Sequence, residues 1–299
     1  SPRLDAELKD GCAMKISIDR SKCTDCGLCV RMCNLNFVKG TDGRVSAAKP
    51  PHTCLLCGHC KAVCPAEAIA HTGLESSSFK RIEGKPSYPE LMALLEARRS
   101  RREFTPEKLS EEDISALLSA AAQAPNGCNK RNVGYIVVTD PAVLKGLSLG
   151  IGEQTLQLAQ KLASPFWRPL IDLFFGRQLK EFGPLLPLLK PMAEETLKGN
   201  DKVLWKAPCA ILLHTSPHDS CGAEDAVYCG ANILLAAEAL GLGACVLGFL
   251  TEPVNRDRKL AKLVRLPKGR VVRTSLCVGH PAFPYSQGVR RPAPDAVRV

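Results

Sequence analysis

The sequence predicts an α+β protein in two parts, a small cysteine-rich module followed by a larger domain of helices packed on a sheet. Three observations carry that reading. Eight of the 15 cysteines fall in two similar groups before residue 65. Between residues 73 and 87 the chain turns to Ser, Gly, Pro and charge, the composition of a linker. Beyond it, helical apolar patterns alternate with short apolar strands. The expected boundaries are therefore 15–72 for the first module, 73–87 for the linker and 88–299 for the second domain. With 299 residues, 45% of them apolar and 23% charged, the chain has ordinary globular material for two cores.

Residues 23–33 read Cys-Thr-Asp-Cys-Gly-Leu-Cys-Val-Arg-Met-Cys, and residues 54–65 read Cys-Leu-Leu-Cys-Gly-His-Cys-Lys-Ala-Val-Cys-Pro. Three thiolates at intervals of three wrap one face of an iron–sulfur cubane, while a fourth, starting the next helical turn, points to another cluster. Crossed ligation follows. Cys23, Cys26, Cys29 and Cys64 are expected on one 4Fe-4S cluster, and Cys54, Cys57, Cys60 and Cys33 on the second. Structural zinc normally uses cysteine pairs separated by a longer span, which two triplets fit badly. The segment resembles bacterial two-cluster 4Fe-4S ferredoxins over about residues 15–72, with Gly27 and Gly58 at matching places where backbone passes close to the cluster. The other seven cysteines are scattered singly, the usage of small buried hydrophobes.

In the second part, an amphipathic helix over residues 90–99 carries Leu91, Leu94 and Leu95 on one side and runs into Arg98-Arg99-Ser100-Arg101-Arg102-Glu103-Phe104. Ser110 and Asp113 then form a capping-box-like start for a helix from Ile114 to Gln123. The loop Ala124-Pro125-Asn126-Gly127-Cys128-Asn129 precedes a short strand, Tyr135–Val138, and a second strand is expected at Cys209–Leu213. The stretch from Leu156 to Leu197 holds Pro165, Pro169, Pro184, Pro187 and Pro191 amid heavy apolar content. It reads as short helices covering a site or a subunit surface.

These features, taken in order, resemble the FMN-dependent nitroreductase and flavin reductase family over most of residues 90–292. The matches are Arg98-x-Ser100-x-Arg102-x-Phe104, the Pro125-Asn126 loop, Asn200 before Lys206-Ala207-Pro208, a long central helix over 226–242, a strand and turn over 243–249 with Leu247-Gly248-Phe249, and Val278-Gly-His-Pro281 followed by Arg290-Arg291-Pro292. Val203 stands at a place that is often basic in that family. The resemblance implies a central sheet flanked by helices, a homodimer, and FMN as cofactor. It implies that Arg98 and Ser100, with Arg290 or Arg291, hold the FMN phosphate, that Arg99 is also among the cofactor-binding residues, and that Arg102 faces the ring edge that gains negative charge on reduction. Arginine suits both tasks. Asn200 is expected to read the pyrimidine edge, Pro125, Asn126, Gly127 and Asn129 to line the ring, and Leu247 and Gly248 to let backbone approach it. No side chain is expected to be catalytic in its own right, because the flavin carries the chemistry and Arg102 assists.

The expected function is reduction of a small electron-poor acceptor (a nitroaromatic, quinone, enone or flavin) by FMN fed through two 4Fe-4S clusters. The alternative is an electron-transfer subunit working between a ferredoxin or NAD(P)H and a partner oxidoreductase; a redox sensor is disfavoured because sensing needs no flavin pocket. A ferredoxin or flavodoxin is the expected donor, with NAD(P)H also possible. The net charge of +10 suits an acidic partner. Nucleic acid is not expected, since no helix-turn-helix pattern appears and only 5% of residues are aromatic. The longest apolar run, Ile233 to Leu250, is broken by Glu238 and three glycines, so no membrane span is expected. The opening residues lack the basic-then-apolar order of a secretory signal, and free cysteine usage fits a reducing cytoplasm.

Overall fold

A computed structural model describes residues 15–48, 54–169, 171, 173–174, 183–289 and 291–299. The chain divides into two compact units. The first comprises the described residues up to Pro86 together with Gly127–Arg131, and the second comprises Ser87–Asn126 and the remainder from Asn132.

In the first unit, β1 (Ile16–Ile18) pairs antiparallel with β4 (Ile69–His71), placing Ile16 opposite His71. A second ribbon joins β2 (Phe37–Lys39) to β3 (Val45–Ala47). Two short helices, α1 (Leu28–Met32) and α2 (His59–Val63), follow Gly27 and Gly58. Both glycines have φ of 77°, in the left-handed region where a Cβ is strained, so the repeated glycine is a backbone requirement. Ile16, Phe37, Val45, Ile69 and the Cys60 side chain make a small core.

The second unit is built on a four-stranded antiparallel sheet of order β5-β6-β8-β7. Its strands are β5 (Gly134–Val138), β6 (Cys209–Thr215), β7 (Gly243–Val246) and β8 (Val271–Gly279). All seven residues of β6 are buried because helices cover both faces, and this is why its first five, Cys209 to Leu213, read as an unbroken apolar run rather than an alternation. Ala210 and Leu212 point to one core, with Leu147, Ile151 and Leu250. Ile211 and Leu213 point to the other, with Leu117 and Ile233. Each such fully buried leucine or isoleucine side chain contributes about 1.5–3 kcal/mol.

The helices are α3 (Tyr88–Ala97), α4 (Glu111–Ala122), α5 (Pro141–Ala163), α6 (Leu186–Leu197), α7 (Gly222–Ala239), α8 (Gly248–Arg256) and α9 (Arg258–Leu263). Ser87 and Glu90 form a full capping box on α3, and Ser110 and Asp113 form the one expected on α4. Two expectations need correction. Leu156 does not begin a run of short helices; it lies inside the 23-residue α5, which ends just before Pro165. α6 tolerates Pro187 in its first turn and takes Pro191 into its interior. Of the strand and turn expected over 243–249, the strand runs from Gly243 to Val246, but where the turn was expected Gly248 opens α8, whose Pro253 obscured the helical pattern. No helix among the described residues is long and apolar enough to cross a membrane.

Candidate functional site

The arginine-rich segment owes its geometry to the edge of the sheet. α3 ends as Arg98 turns extended, and the chain then runs beside β7: Ser100 bridges Ala244 in parallel, and Arg101 N donates to Ala244 O at 3.1 Å. Phe104 bridges Pro281, and Thr105 N donates to His280 O at 2.9 Å. Gly243 makes the approach possible, because a Cβ there would lie 2.8 Å from the Arg101 stem.

Strand-like alternation then separates the arginines. Ser100 and Arg102 turn to the side of Cys245, whose thiol is in hydrogen-bonding contact with both of them and with Cys277, its partner across the β7–β8 ladder. The Cys277 contact and the Arg102 guanidinium pull Cys245 below the ordinary thiol range, while the same contact and deep burial hold Cys277 above it. Arg101 turns the other way and is structural. It is 8% exposed, pairs with Glu238 of α7 at 3.7 Å, donates to Phe283 O at 3.1 Å and stacks on Tyr285 at 4.1 Å. Arg99 donates through Nη1 to Arg98 O at 2.7 Å, but its Nη2 is buried with no hydrogen-bond partner among the described residues. A buried guanidinium nitrogen left open in this way is what an anionic ligand would satisfy.

The loop 199–206 meets Arg102 from the other side. The Arg102 guanidinium and the Lys202 ammonium each lie 5.7 Å from the Trp205 ring centroid. Asp201 builds this loop: Oδ1 accepts from Val203 N and Leu204 N, each at 2.9 Å, and from Ser148 Oγ at 2.5 Å, while Oδ2 accepts from Lys206 N at 3.1 Å. Trp205 and Lys206 are held at positive φ, 58° and 56°. Replacing Asp201 with alanine is expected to cost about 2–3 kcal/mol, since it orphans three backbone donors, and a lowered urea midpoint would show it. Val203, at the place where the sequence pattern favoured a basic residue, is a buried core residue, and Lys202 beside it supplies the cation.

The other expected flavin residues fall as follows. Asn200 is exposed and donates through Nδ2 to Glu195 at 3.2 Å. Leu247 is 4% exposed and packed in the core, with its backbone tied to Ser275. Gly248 is open, since a Cβ there would meet nothing within 4 Å. Pro125 and Asn126 belong to the second unit, whereas Gly127 and Asn129 belong to the first, where Asn129 Nδ2 donates to Leu55 O at 2.7 Å. Cys128, Asn129 and Arg131 all hold positive φ, a concentration of backbone strain of the kind found at functional loops. Arg291 is exposed, and Arg290 lies outside the described residues.

Within the first unit, Cys23, Cys26, Cys29 and Cys64 line one small cavity of about 20 Å³ walled by Ile18, Leu28, Val45, Pro65 and Ala68. Burial pushes the Cys29 thiol up, with Cys64 and Cys26 as its charged neighbours. Burial likewise raises Cys54, with Cys57 and Cys33 beside it, and pushes Cys60 up to about 11, with Cys54, Cys33 and Cys57 around it. Each fourth cysteine thus faces the triplet of the other loop. Among the described residues no three His, Cys, Asp or Glu side chains converge closely enough to hold a single metal ion. Sequence reasoning passed over His71, whose Nε2 lies 3.4 Å from Cys54 Sγ, because its place becomes apparent only once β4 is paired.

Comparison with known proteins places a match to the family described as "Nitroreductase family" over residues 95–280. An FMN reductase [NAD(P)H] of Bacillus subtilis is 26% identical over 208 residues, covering 68% of this chain and 70% of that protein. An oxygen-insensitive NADPH nitroreductase of Salmonella typhimurium is 29% identical over 189 residues, 63% of this chain and 65% of that one. In fold, the chain is similar to a nitroreductase with bound FMN from Desulfitobacterium hafniense, with a TM-score of 0.51 and 20% identity over 70% of this chain and 96% of the other.

Proposed function

The chain belongs to the nitroreductase family, and from that premise we propose that it is an FMN-dependent oxidoreductase that reduces small electron-poor acceptors with electrons received through two 4Fe-4S clusters. The observation that carries the flavin part is the cationic edge beside β7, where Arg99 keeps a buried nitrogen open and Ser100 and Arg102 share one face. These residues fit a phosphorylated flavin. Arg98, Arg99 and Ser100 would hold the phosphate, Arg102 would stand at the ring edge with Lys202 and Trp205 near it, and open Gly248 would leave room for the ring. Asn200, Pro125, Asn126 and the basic tail at Arg290 and Arg291 remain proposed contacts. FMN, when bound, supplies transfer of hydride or of single electrons.

What the chain contributes is charge and position. Arg102 offers a fixed cation where negative charge develops, without the reorganisation that solvent would need. Trp205 holds that exposed cation by cation–π attraction.

The cysteine arrangement supports the clusters. A cubane takes its thiolates around a volume rather than at a point, and the four cysteines about one cavity offer that; burial of Cys29, Cys54 and Cys60 disfavours their thiolates unless a cationic group is bound beside them. Exposed apolar residues on α3 (Leu91, Leu95) and α7 (Val227, Tyr228) support a homodimer. The free thiols suit a reducing cytoplasm. The test is anaerobic turnover with nitro, quinone, enone and flavin acceptors, using chemically reduced ferredoxin and NAD(P)H as donors. Turnover of at least one class is expected, and fast reduction of protein acceptors with no small-molecule turnover would make the chain an electron carrier instead.

A further inference from the structure

The two cysteine loops repeat each other, yet the side chains around them differ in sign. Around Cys33, Cys54, Cys57 and Cys60, two side chains direct hydrogen-bond donors at sulfur. Asn36 Nδ2 donates to Cys33 Sγ at 3.6 Å, and Asn36 is 2% exposed. His71 Nε2 lies 3.4 Å from Cys54 Sγ. The other ring nitrogen fixes the tautomer: Gly73 N donates to His71 Nδ1 at 3.0 Å, so the ring proton sits on Nε2 and points at the sulfur.

Around Cys23, Cys26, Cys29 and Cys64, donors to sulfur among the described residues come from backbone alone, Asp25 N to Cys23 at 3.4 Å and Ala68 N to Cys64 at 3.3 Å. The second loop has its own backbone donor, Leu56 N to Cys54 at 3.4 Å, so backbone does not distinguish the two. The side chain that reaches sulfur here is a carboxylate, with Asp25 Oδ1 3.6 Å from Cys23 Sγ. Val45 N at 2.8 Å and Arg20 at 3.3 Å fix it there, and the exposed Arg20 offsets its charge only in part. The sequence repeat sets Leu56 opposite Asp25, Gly40 opposite His71 and Glu67 opposite Asn36, so neither loop duplicates the other's device.

We propose that His71 and Asn36 on one side and Asp25 on the other set the two clusters at different potentials, so that an electron entering at the Cys23 cluster passes to the Cys54 cluster. This rests on the reading of the eight cysteines as ligands of two 4Fe-4S clusters. Reduction adds one negative charge to a cluster; donors aimed at its sulfurs stabilise that charge and a neighbouring carboxylate opposes it. The step moves one electron from the first cluster to the second, and no bond or proton moves with it. His71, Asn36 and Asp25 are positioning residues acting through the ligands.

The test is an EPR-monitored redox titration of the full chain after anaerobic reconstitution, with Cys57→Ser identifying the signal of the first cluster. Two midpoints are expected, and the cluster that survives in Cys57→Ser has the lower one. His71→Leu is expected to lower only the higher midpoint, by about tenfold in the one-electron constant, or about 59 mV. Asp25→Asn is expected to raise only the lower one. If His71→Leu cannot hold its cluster, Asn36→Ala and Asp25→Asn decide the matter in the same directions. Intact clusters with equal midpoints, or midpoints that these variants leave in place, overturn the inference alone. A chain that binds no acid-labile sulfide overturns the cluster reading and the inference with it.

Discussion

Replacing Cys57 with serine is expected to abolish reduction of the flavin by reduced ferredoxin or flavodoxin, bringing it to the level of a cluster-free control, while leaving dithionite-driven flavin turnover in place. The reasoning begins with economy of design. A flavin open to solvent takes hydride directly from a nicotinamide, so two clusters fused ahead of it are superfluous unless the donor delivers one electron at a time. Such donors are commonly acidic, and the net charge of +10 favours their encounter. The rate is therefore expected to fall as salt screens the attraction, the Debye length shrinking from about 10 Å at 0.1 M to about 3 Å at 1 M. Stopped-flow bleaching of the flavin with each donor measures this. Bleaching by NAD(P)H that matches or exceeds that by ferredoxin, undiminished in the Cys57 variant, would place the clusters at the exit of the enzyme.

Replacing Arg99 with alanine is expected to weaken FMN binding by about 1.5–3 kcal/mol, or roughly tenfold to a hundredfold in Kd, the range of a charge-assisted hydrogen bond. Its buried Nη2 has no hydrogen-bond partner among the described residues. The same variant is expected to leave the flavin-free protein as stable as before, because removing a buried unsatisfied nitrogen relieves a desolvation cost. Fluorescence titration with FMN and urea unfolding of the apoprotein separate the two effects. An unchanged Kd with a lowered unfolding midpoint would show Arg99 to be a packing residue.

Much of the fold was legible because local chemistry decides it. The capping box at Ser110 and Asp113 starts α4, and the unbroken apolar run of β6 marks a strand covered on both faces. Gly27 and Gly58 recur because both loops need a left-handed residue at the same place. α5 was not legible as one helix, since the proline-rich stretch that follows it drew its last turns into a different reading. The candidate site was legible as a composition, and less so as an arrangement. Five consecutive residues from Arg98 to Arg102 look alike in sequence apart from Ser100, and only pairing with β7 shows that Arg101 turns to Glu238 while Arg102 turns to Cys245 and Trp205. Lys202 and Trp205 had no signal of their own, because their placement depends on the Asp201 hydrogen bonds and two positive-φ residues. The environment of Cys54 was equally hidden, since His71 reaches it only through the β1–β4 pairing.

The most direct measurement of the central claim is a chemical analysis of the full chain after anaerobic reconstitution, counting iron, acid-labile sulfide and FMN per polypeptide. A cluster-wired flavin enzyme gives about eight iron atoms, about eight sulfides and about one FMN. Zinc without sulfide at the cysteines, or a chain that retains no FMN, would contradict it.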